Sequence, residues 1–263
     1  MVPPKDRVDL SKLETRSTEG APGDKAATAE ASEALRIQLA RLQHMLYAEH
    51  ERSLLLVLQA MDAGGKDGAI RRVFSGVNPQ SCRVTSFKQP TPEELDHDFL
   101  WRISRALPAK GELGIFNRSH YEDVGVVRVN GLVTEKECRH RYEIINSFEH
   151  ALSASGTTVV KVFLHIGKDE QAKRLQARIH HPEKRWKFRP EDLDDRVRWR
   201  EFMTAYGDAI SATSTKRAPW YVIPADRKWY RDWALLRILV ETLDEMDLRF
   251  PDPIPGIEDH KIV

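Results

Sequence analysis

The segment "LQAMDAGGKDGAIRRVF" at residues 58–74 decides the fold, because it runs from an apolar stretch through a glycine pair and Lys66 into a helical pattern. In a strand–turn–helix unit of this kind, backbone N–H groups and the positive end of the helix converge on the turn, and a lysine adds a full charge. An ordinary glycine-rich connection with a surface lysine is the alternative. The segment predicts a phosphate-binding loop formed by Ala63, Gly64, Gly65, Lys66, Asp67 and Gly68.

Two positions of the segment depart from the common P-loop pattern G-x-x-x-x-G-K-[ST]. Ala60 stands at the first glycine, and Asp67 stands at the hydroxyl residue that binds magnesium. A further carboxylate, Asp62, lies inside the loop. It repels phosphate unless a divalent cation lies between them or the carboxylate accepts a proton during a reaction. Asp62 therefore indicates metal binding or catalysis, and a turn aspartate that hydrogen-bonds its own backbone is the alternative.

The rest of the chain alternates short strand patterns with helical ones. A leucine repeat predicts a helix at residues 30–50, and the segments at Thr91 and Thr134 have the sequence of helix-capping boxes. This alternation predicts an α/β protein with a parallel sheet of about five strands. The strand patterns lie at residues 53–59, 82–87, 112–116, 157–166 and 218–223.

Composition limits the classes of function. With 263 residues, of which 41% are hydrophobic, the chain is long enough for one large domain. Its 41 basic and 40 acidic residues leave a formal charge of +1, so the chain is not a polycation that coats nucleic acid and any basic site must be local. Cys82 and Cys138 are isolated, which argues against a disulfide framework and a zinc site. No apolar run approaches membrane-spanning length, so we expect a cytoplasmic protein that binds no membrane.

The two ends of the chain differ from its centre. Residues 14–32 are small, polar and charged without an apolar period, so burial cannot offset the entropy lost on ordering them. We therefore expect a flexible N-terminal arm at residues 1–29, a single domain at residues 30–250 and a C-terminal tail at residues 251–263.

A polar cluster follows the third predicted strand, in the segment "FNRSHYEDV" at residues 116–124. The carboxyl ends of parallel strands face the ligand crevice of an α/β sheet. Side chains from this segment are therefore expected to approach the same phosphates as Lys66. They are Asn117, Arg118, Glu122 and Asp123.

A third cluster, "RIHHPEKRWKFRPED" at residues 178–192, concentrates positive charge around Trp186 and Phe188. We expect a polyanionic ligand there, and a solvated charged face is the alternative. Adjacent His180 and His181 lack the spacing of a preformed metal site. The basic residues are Arg178, Lys184, Arg185, Lys187 and Arg189.

Taken together, the three clusters resemble the polyphosphate kinase 2 family, P-loop kinases that move phosphoryl groups between inorganic polyphosphate and nucleotides. The family patterns x-x-D-x-x-G-K-[DG]-G, [DN]-R-S-x-Y and K-R-W-K are matched in order by AMDAGGKDG, NRSHY and KRWKF. The resemblance covers about residues 30–250. It implies a three-layer α/β/α P-loop kinase fold with a helical lid at about residues 178–192, and it accounts for Ala60 and Asp67 because the family accepts both.

The resemblance also implies roles for individual residues. Asp62 would bind magnesium and orient or deprotonate the acceptor phosphate, while Lys66 and Arg118 would hold the transferred group. Glu122 is the second expected ligand of the metal, which is Mg²⁺ or Mn²⁺. The lid cluster would cover nucleotide and polyphosphate. The residues expected at the nucleotide are Asn117, Arg118, Tyr121 and Glu122.

Two departures from the family pattern bear on function. Asn117 stands where many members have aspartate, so this position is not expected to contact the metal directly. Glu122 and Asp123 stand where many ADP-specific members have Asn-Arg, and this resembles the subgroup that accepts both AMP and ADP. The expected partners are polyphosphate, AMP, ADP and ATP, with guanine nucleotides left open. A homo-oligomer, dimer or tetramer, is also expected.

Three other functions remain alternatives at this point. An ATP-dependent nucleoside monophosphate kinase uses the same P-loop, and the sequence discriminates poorly against it. A non-catalytic nucleotide- or polyanion-binding module has no need of Asp62. A nucleic-acid binder could stack Trp186 on a base, but the chain's near-zero net charge argues against it.

Overall fold

In the computed structural model, which describes residues 1–260 and Ile262, five parallel strands form one sheet in the order β2-β3-β1-β4-β5. The five predicted strands are confirmed, and their bounds shift by at most two residues. They are β1 (Ser53–Gln59), β2 (Cys82–Ser86), β3 (Leu113–Asn117), β4 (Thr157–His165) and β5 (Trp220–Pro224).

Helices cover both faces of the sheet and supply the connections between its strands. Several connections contain only a single helical turn, whereas the outer layers are built from the longer helices. The helices are α1 (Lys25–Glu49), α2 (Lys66–Val73), α3 (Pro92–Leu95), α4 (Trp101–Ser104), α5 (Val126–Val129), α6 (Glu135–Ala154), α7 (Lys168–His180), α8 (Glu191–Val197), α9 (Trp199–Thr213) and α10 (Lys228–Glu245).

The central strand β1 shows why the protein has three layers. All seven of its residues are buried. Because side chains alternate along a strand, Leu54, Leu56 and Leu58 pack in the core shared with α1 and α10, whereas Leu55 and Val57 pack in the core shared with α6 and α9. A strand buried on both faces is typical of a parallel sheet between two helical layers, so the predicted α/β/α architecture is confirmed.

Helix capping follows the sequence only in part. Thr91 forms the complete predicted capping box with Glu94, but the helix it starts, α3, has only four residues. Thr134 caps α6 by accepting a hydrogen bond from the Glu137 N–H. The Glu137 carboxylate instead bonds Arg141, four residues along the helix, so this cap lacks the reciprocal half of the box.

The N-terminal segment, which the sequence predicts as a flexible arm, lies against the domain in the structure. Leu10 is buried, and Val2 is buried where it forms an isolated antiparallel bridge with Trp220 of β5. The first long helix begins at Lys25, because Asp24 caps it, and not near residue 30. Isolated anchor residues separated by polar ones leave no periodic signal, so this packing cannot be predicted from the sequence pattern.

The sheet positions the carboxyl ends of β1 and β3 side by side, with Leu58 paired to Asn117. The loop after β1 and the turn after β3 therefore open into one crevice, as expected for the point where strand order reverses in an open α/β sheet. None of the helices described in residues 1–260 is long and apolar enough to cross a membrane.

Candidate active site

The loop between β1 and α2 has the backbone conformation of an anion-binding turn. Gly65 caps α2 without a side-chain hydrogen bond and has a φ of +99°, a value that L-residues rarely adopt. A β-carbon at Gly65 would also collide with Nη1 of the buried Arg231 side chain. The first N–H groups of a helix have no intrahelical acceptor, so those at the start of α2 can donate to phosphate oxygens held at this loop.

Lys66, the first residue of α2, is buried, and its Nζ donates to the Ala60 carbonyl oxygen at 2.9 Å. Burial, together with the nearby charge of Arg118, lowers the pKa of Lys66 to about 8, against the opposing effect of Asp62. Its side chain therefore folds back over the loop, as expected for a lysine that contacts phosphates held there.

Asp62 and Arg118 form the central ion pair of the crevice, with 2.7 Å between Oδ1 and Nη2. Burial acts to raise the pKa of Asp62, but Arg118, Lys66, Arg189 and Arg178 together outweigh burial and hold this pKa below its ordinary value. Arg118 has a φ of +65°, which is uncommon for a residue with a β-carbon. The turn after β3 thus aims Arg118 back toward the loop after β1.

Glu122 lies beside this pair, with 3.7 Å between its Oε2 and Nη1 of Arg118. Burial raises the pKa of Glu122, and Asp62 adds to this effect, while Arg118 and Lys66 oppose it. With the amide of Gln59 oriented so that its nitrogen faces the carboxylate, Gln59 donates to Glu122 at 2.8 Å and accepts from Ser119. Gln59, the last residue of β1, thus fixes the position of the Glu122 carboxylate.

Asp62 and Glu122 fit a divalent cation shared with a substrate. Both are carboxylates at one crevice, and the pKa of each responds to the charge of Arg118. No group of three or more His, Cys, Asp or Glu residues that could hold a metal occurs within the described part of the chain. Mg²⁺ is commonly bound by one or two carboxylates together with substrate phosphates, and two oxygen-bearing side chains meet that requirement.

Asn117, at the end of β3, contacts another residue of the loop. Its Nδ2 donates to Oδ1 of Asp67 at 2.9 Å, and Oδ2 of Asp67 pairs with Nζ of Lys187 at 3.0 Å. These bonds lower the pKa of Asp67, against the opposing effect of burial, which is the largest single contribution. Asp67, which replaces the usual hydroxyl residue, thus connects the loop to the lid.

The predicted lid consists of the end of α7, a 3-10 turn at Pro182–Lys187 and the start of α8. Arg178 pairs with Asp192 at 3.1 Å, and Arg189 lies 3.9 Å from Asp62. The structure therefore brings Arg178, Lys187 and Arg189 toward the crevice. Lys184 and Arg185 lie on the exposed side of the turn, with Trp186, whose side chain is 76% exposed.

A cavity of about 580 Å³ opens beside Asp62, Arg118 and Glu122. This volume lies in the range typical of small-molecule sites. The cavity has apolar, acidic and basic walls, and most of its lining was absent from the sequence prediction because it comes from segments without a motif. These lining residues include Phe87, Lys88, Arg102, Val126, Val127, Asn130, Asp194, Asp195 and Arg198.

Asp123, predicted near the phosphates, also lines this cavity, but its carboxylate lies 3.8 Å from Arg102 and 4.0 Å from Arg141. Burial raises the pKa of Asp123 to about 6, against the opposing effect of both arginines. The Asp123 carboxylate therefore lies beside Arg102 and Arg141 in the wall of the cavity.

Tyr121, expected at the nucleotide, lies elsewhere in the structure. Its side chain is 1% exposed, and its hydroxyl donates to Glu149 at 2.8 Å and accepts from Nζ of Lys161 at 3.0 Å. Lys161 and Glu149 are themselves buried, 2.5 Å apart. The 3-10 turn at His120–Asp123 directs Tyr121 into the core and Glu122 into the crevice, so neighbouring residues of one motif have different surroundings.

A sequence model of the polyphosphate kinase 2 family (PPK2) matches residues 23–251. The chain belongs to the polyphosphate kinase 2 family. A crystal structure of polyphosphate kinase 2 from Arthrobacter aurescens superimposes with a TM-score of 0.93 at 43% identity, covering 96% of this chain and 92% of that one. The family assignment and the P-loop kinase fold are thereby confirmed.

Two curated relatives are similar over most of their length. The AMP/ADP-polyphosphate phosphotransferase of Meiothermus ruber is 53% identical over 252 residues, which cover 96% of this chain and 94% of the relative. The ADP-polyphosphate phosphotransferase of Rhodopseudomonas palustris is 45% identical over 239 residues, 85% of this chain and 83% of the relative. The relatives of this polyphosphate kinase 2 family member thus include phosphotransferases with two different acceptor descriptions.

Proposed function

We propose that this protein transfers a phosphoryl group from inorganic polyphosphate to AMP and to ADP. The observation that carries the proposal is the position of Asp62, Arg118 and Glu122, which line the cavity directly beside the loop that ends in Lys66. A nucleotide in the cavity then presents its phosphate to Asp62 and Arg118, and a polyanion held by the loop and the lid meets it there. Family membership supports polyphosphate as the donor, the name of the Meiothermus ruber relative supports both acceptors, and that of the Rhodopseudomonas palustris relative supports ADP.

The residues of the crevice suit phosphoryl transfer, in which the transition state is loose and charge spreads over the moving oxygens. Lys66, Arg118 and the N–H groups of the loop stabilise that charge. Neighbouring positive charges hold the pKa of Asp62 below its ordinary value against the effect of burial, which makes the carboxylate a weak base; it therefore acts mainly by orienting the acceptor phosphate. Asp62 and Glu122 would hold Mg²⁺, which would supply charge neutralisation on the phosphate oxygens.

The test of the reaction is incubation of the purified protein with polyphosphate, Mg²⁺ and either AMP or ADP, followed by separation of nucleotides by chromatography. We expect ADP and ATP from AMP, and ATP from ADP. Replacing polyphosphate by ATP as the only donor to AMP tests the ATP-dependent kinase alternative. Turnover with ATP that matches or exceeds turnover with polyphosphate would contradict the proposal, and Mn²⁺ in place of Mg²⁺ tests the choice of metal.

Glu122 is proposed to allow AMP as an acceptor. AMP is one phosphate shorter than ADP, so its use leaves a place in the crevice that a hydrated cation can fill. A buried carboxylate at this place can hold such a cation, and Gln59 fixes its position. An asparagine lacks the charge that holds the cation.

The corresponding prediction is that Glu122→Asn lowers the initial rate with AMP at least tenfold more than the rate with ADP. The matched control is Glu143→Asn, the same change at a position on α6 whose side chain is 81% exposed, and we expect both rates to stay at the level of the unmodified protein. Parallel changes of the two rates in Glu122→Asn would reject this role.

A further inference from the structure

Every backbone carbonyl of the loop from Ala60 to Gly65 accepts a hydrogen bond. Within the loop region itself, Lys66 Nζ bonds the oxygen of Ala60, the Gly64 N–H bonds that of Met61 at 2.9 Å, and the Ala69 N–H bonds that of Gly65 at 3.0 Å. The remaining three oxygens, of Asp62, Ala63 and Gly64, point away from the loop. Their donors therefore come from another part of the chain.

Two side chains of α7 supply those donors. Nε2 of Gln171 donates to the Asp62 oxygen at 3.1 Å. Nη1 of Arg174 donates to the Ala63 oxygen at 3.2 Å and to the Gly64 oxygen at 3.0 Å. Gln171 is fully buried and the side chain of Arg174 is 11% exposed, so water does not readily replace either donor.

These bonds also fix the directions of the loop's N–H groups. A peptide unit is planar and trans, so its C=O and N–H point in opposite directions. Holding the oxygens of Asp62 and Gly64 outward therefore turns the N–H groups of Ala63 and Gly65 toward the inside of the loop, where they form an anion-binding concavity. Ala63 and Gly65 both have positive φ values, 59° and 99°. Such a conformation is unfavourable in a non-glycine residue such as Ala63 and persists when its surroundings hold it in place.

Hydrogen bonds to α7 and to a second loop also hold the side chain of Arg174 in place. Its Nε donates to Glu170 at 2.8 Å, and its Nη2 donates to the oxygens of Ala225 and Asp226, at 2.6 Å and 3.1 Å, in the turn between β5 and α10. The planar guanidinium thus joins two loops through four carbonyls, a geometry that the single ammonium of a lysine does not reproduce.

We propose that Gln171 and Arg174 are positioning residues that hold the phosphate-binding loop in its polyphosphate-accepting conformation from outside the site. Neither side chain reaches phosphate; each acts through a carbonyl that it holds. The last turn of α7 carries Arg178 and leads into the lid, so the same helix supports the loop and begins the lid. This inference rests on the proposed function, because it takes polyphosphate to be the ligand of the loop.

The test compares binding of two probes to the full chain by calorimetry: tripolyphosphate alone and AMP alone. Arg174→Lys keeps the charge but loses the planar guanidinium that bonds four carbonyls. For this variant we expect at least tenfold weaker tripolyphosphate binding and AMP binding within twofold of the unmodified protein. Gln171→Met is expected to weaken tripolyphosphate binding about fivefold. Lys173→Met, on the exposed side of α7, removes a full charge and is expected to change either affinity less than twofold.

Three outcomes would overturn the inference. Tripolyphosphate binding by Arg174→Lys and Gln171→Met equal to that of the unmodified protein would show that these carbonyl bonds do not shape the site, even if the unfolding temperature falls. Parallel weakening of AMP and tripolyphosphate would indicate general loss of structure. Failure of the unmodified protein to bind tripolyphosphate would contradict the proposed function, and the inference with it.

Discussion

Replacing Asp62 by asparagine separates turnover from polyphosphate binding. The carboxylate of Asp62 lies 2.7 Å from Arg118 and is surrounded by the further positive charges of Lys66, Arg189 and Arg178. Asparagine keeps the shape and one hydrogen bond to Arg118 but removes the charge that orients the acceptor and binds metal. We expect turnover to fall by at least about 10²-fold, the usual cost of misplacing a reacting group, which corresponds to roughly 3 kcal/mol of activation free energy.

The same substitution is expected to have little effect on stability and not to weaken tripolyphosphate binding. Asp62→Asn replaces an ion pair by a hydrogen bond from charged Arg118 to a neutral amide oxygen, and a hydrogen bond to a charged group still contributes about 1.5–3 kcal/mol. Asp62→Asn is therefore expected to lower the free energy of unfolding by only about 1–2 kcal/mol. Because Asp62 repels a polyanion, its neutralisation should leave the dissociation constant of tripolyphosphate unchanged or lower it.

The assay is the initial rate of nucleotide formation from AMP and from ADP, with tripolyphosphate binding measured on the same samples. Asp252→Asn, the same change in the exposed C-terminal tail, is the control and is expected to affect neither quantity. Turnover of Asp62→Asn within tenfold of the unmodified protein would refute the role of this carboxylate. A weaker tripolyphosphate affinity would refute the electrostatic argument separately.

Two further predictions concern the cations of the site. The apparent affinity for long-chain polyphosphate should fall steeply as salt rises, and replacing Arg178, Lys187 and Arg189 by glutamine should flatten that dependence; an unchanged slope would exclude the lid as the polyphosphate contact. Metal-free tripolyphosphate binding should weaken as pH rises through about 8, where buried Lys66 loses its proton. Because the pKa of Lys66 is lower in the folded protein, the same group should make folding more favourable as pH rises from about 8 toward its unfolded value near 10.5. Lys66→Met should lack both effects, and a transition that persists in this variant would show that another group titrates.

The sequence predicted the parts of the fold and site that depend on local pattern. Short apolar strand patterns and the glycine turn are recognisable within a few residues, so the sheet and the position of Lys66 were predicted closely. Tyr121 and Glu122 are adjacent in one motif, yet one is in the core and the other in the crevice. A 3-10 turn has no hydrophobic period long enough to show which side chain points inward, so the sequence does not distinguish them.

Gln171 and Arg174 were not predicted because the loop that they hold lies more than 100 residues earlier in the chain. On α7 they follow the spacing of any helical face, and their chemistry becomes visible only when their carbonyl partners are known. The same is true of the cavity lining at Asp194 and Asp195, whose contribution depends on how α8 packs.

The cations of the lid are already paired with carboxylates of the phosphate-binding loop and of α8. Lys187 is paired with Asp67, Arg178 with Asp192, and Arg189 lies between Asp62 and Asp192. A polyphosphate chain entering the crevice must therefore exchange places with carboxylates of the protein, and it releases fewer salt ions than the number of lid cations suggests. These carboxylates therefore favour ligands with many charges. A ligand with a single phosphate can replace few of the carboxylates in their ion pairs, whereas a chain of phosphates replaces several of them at once.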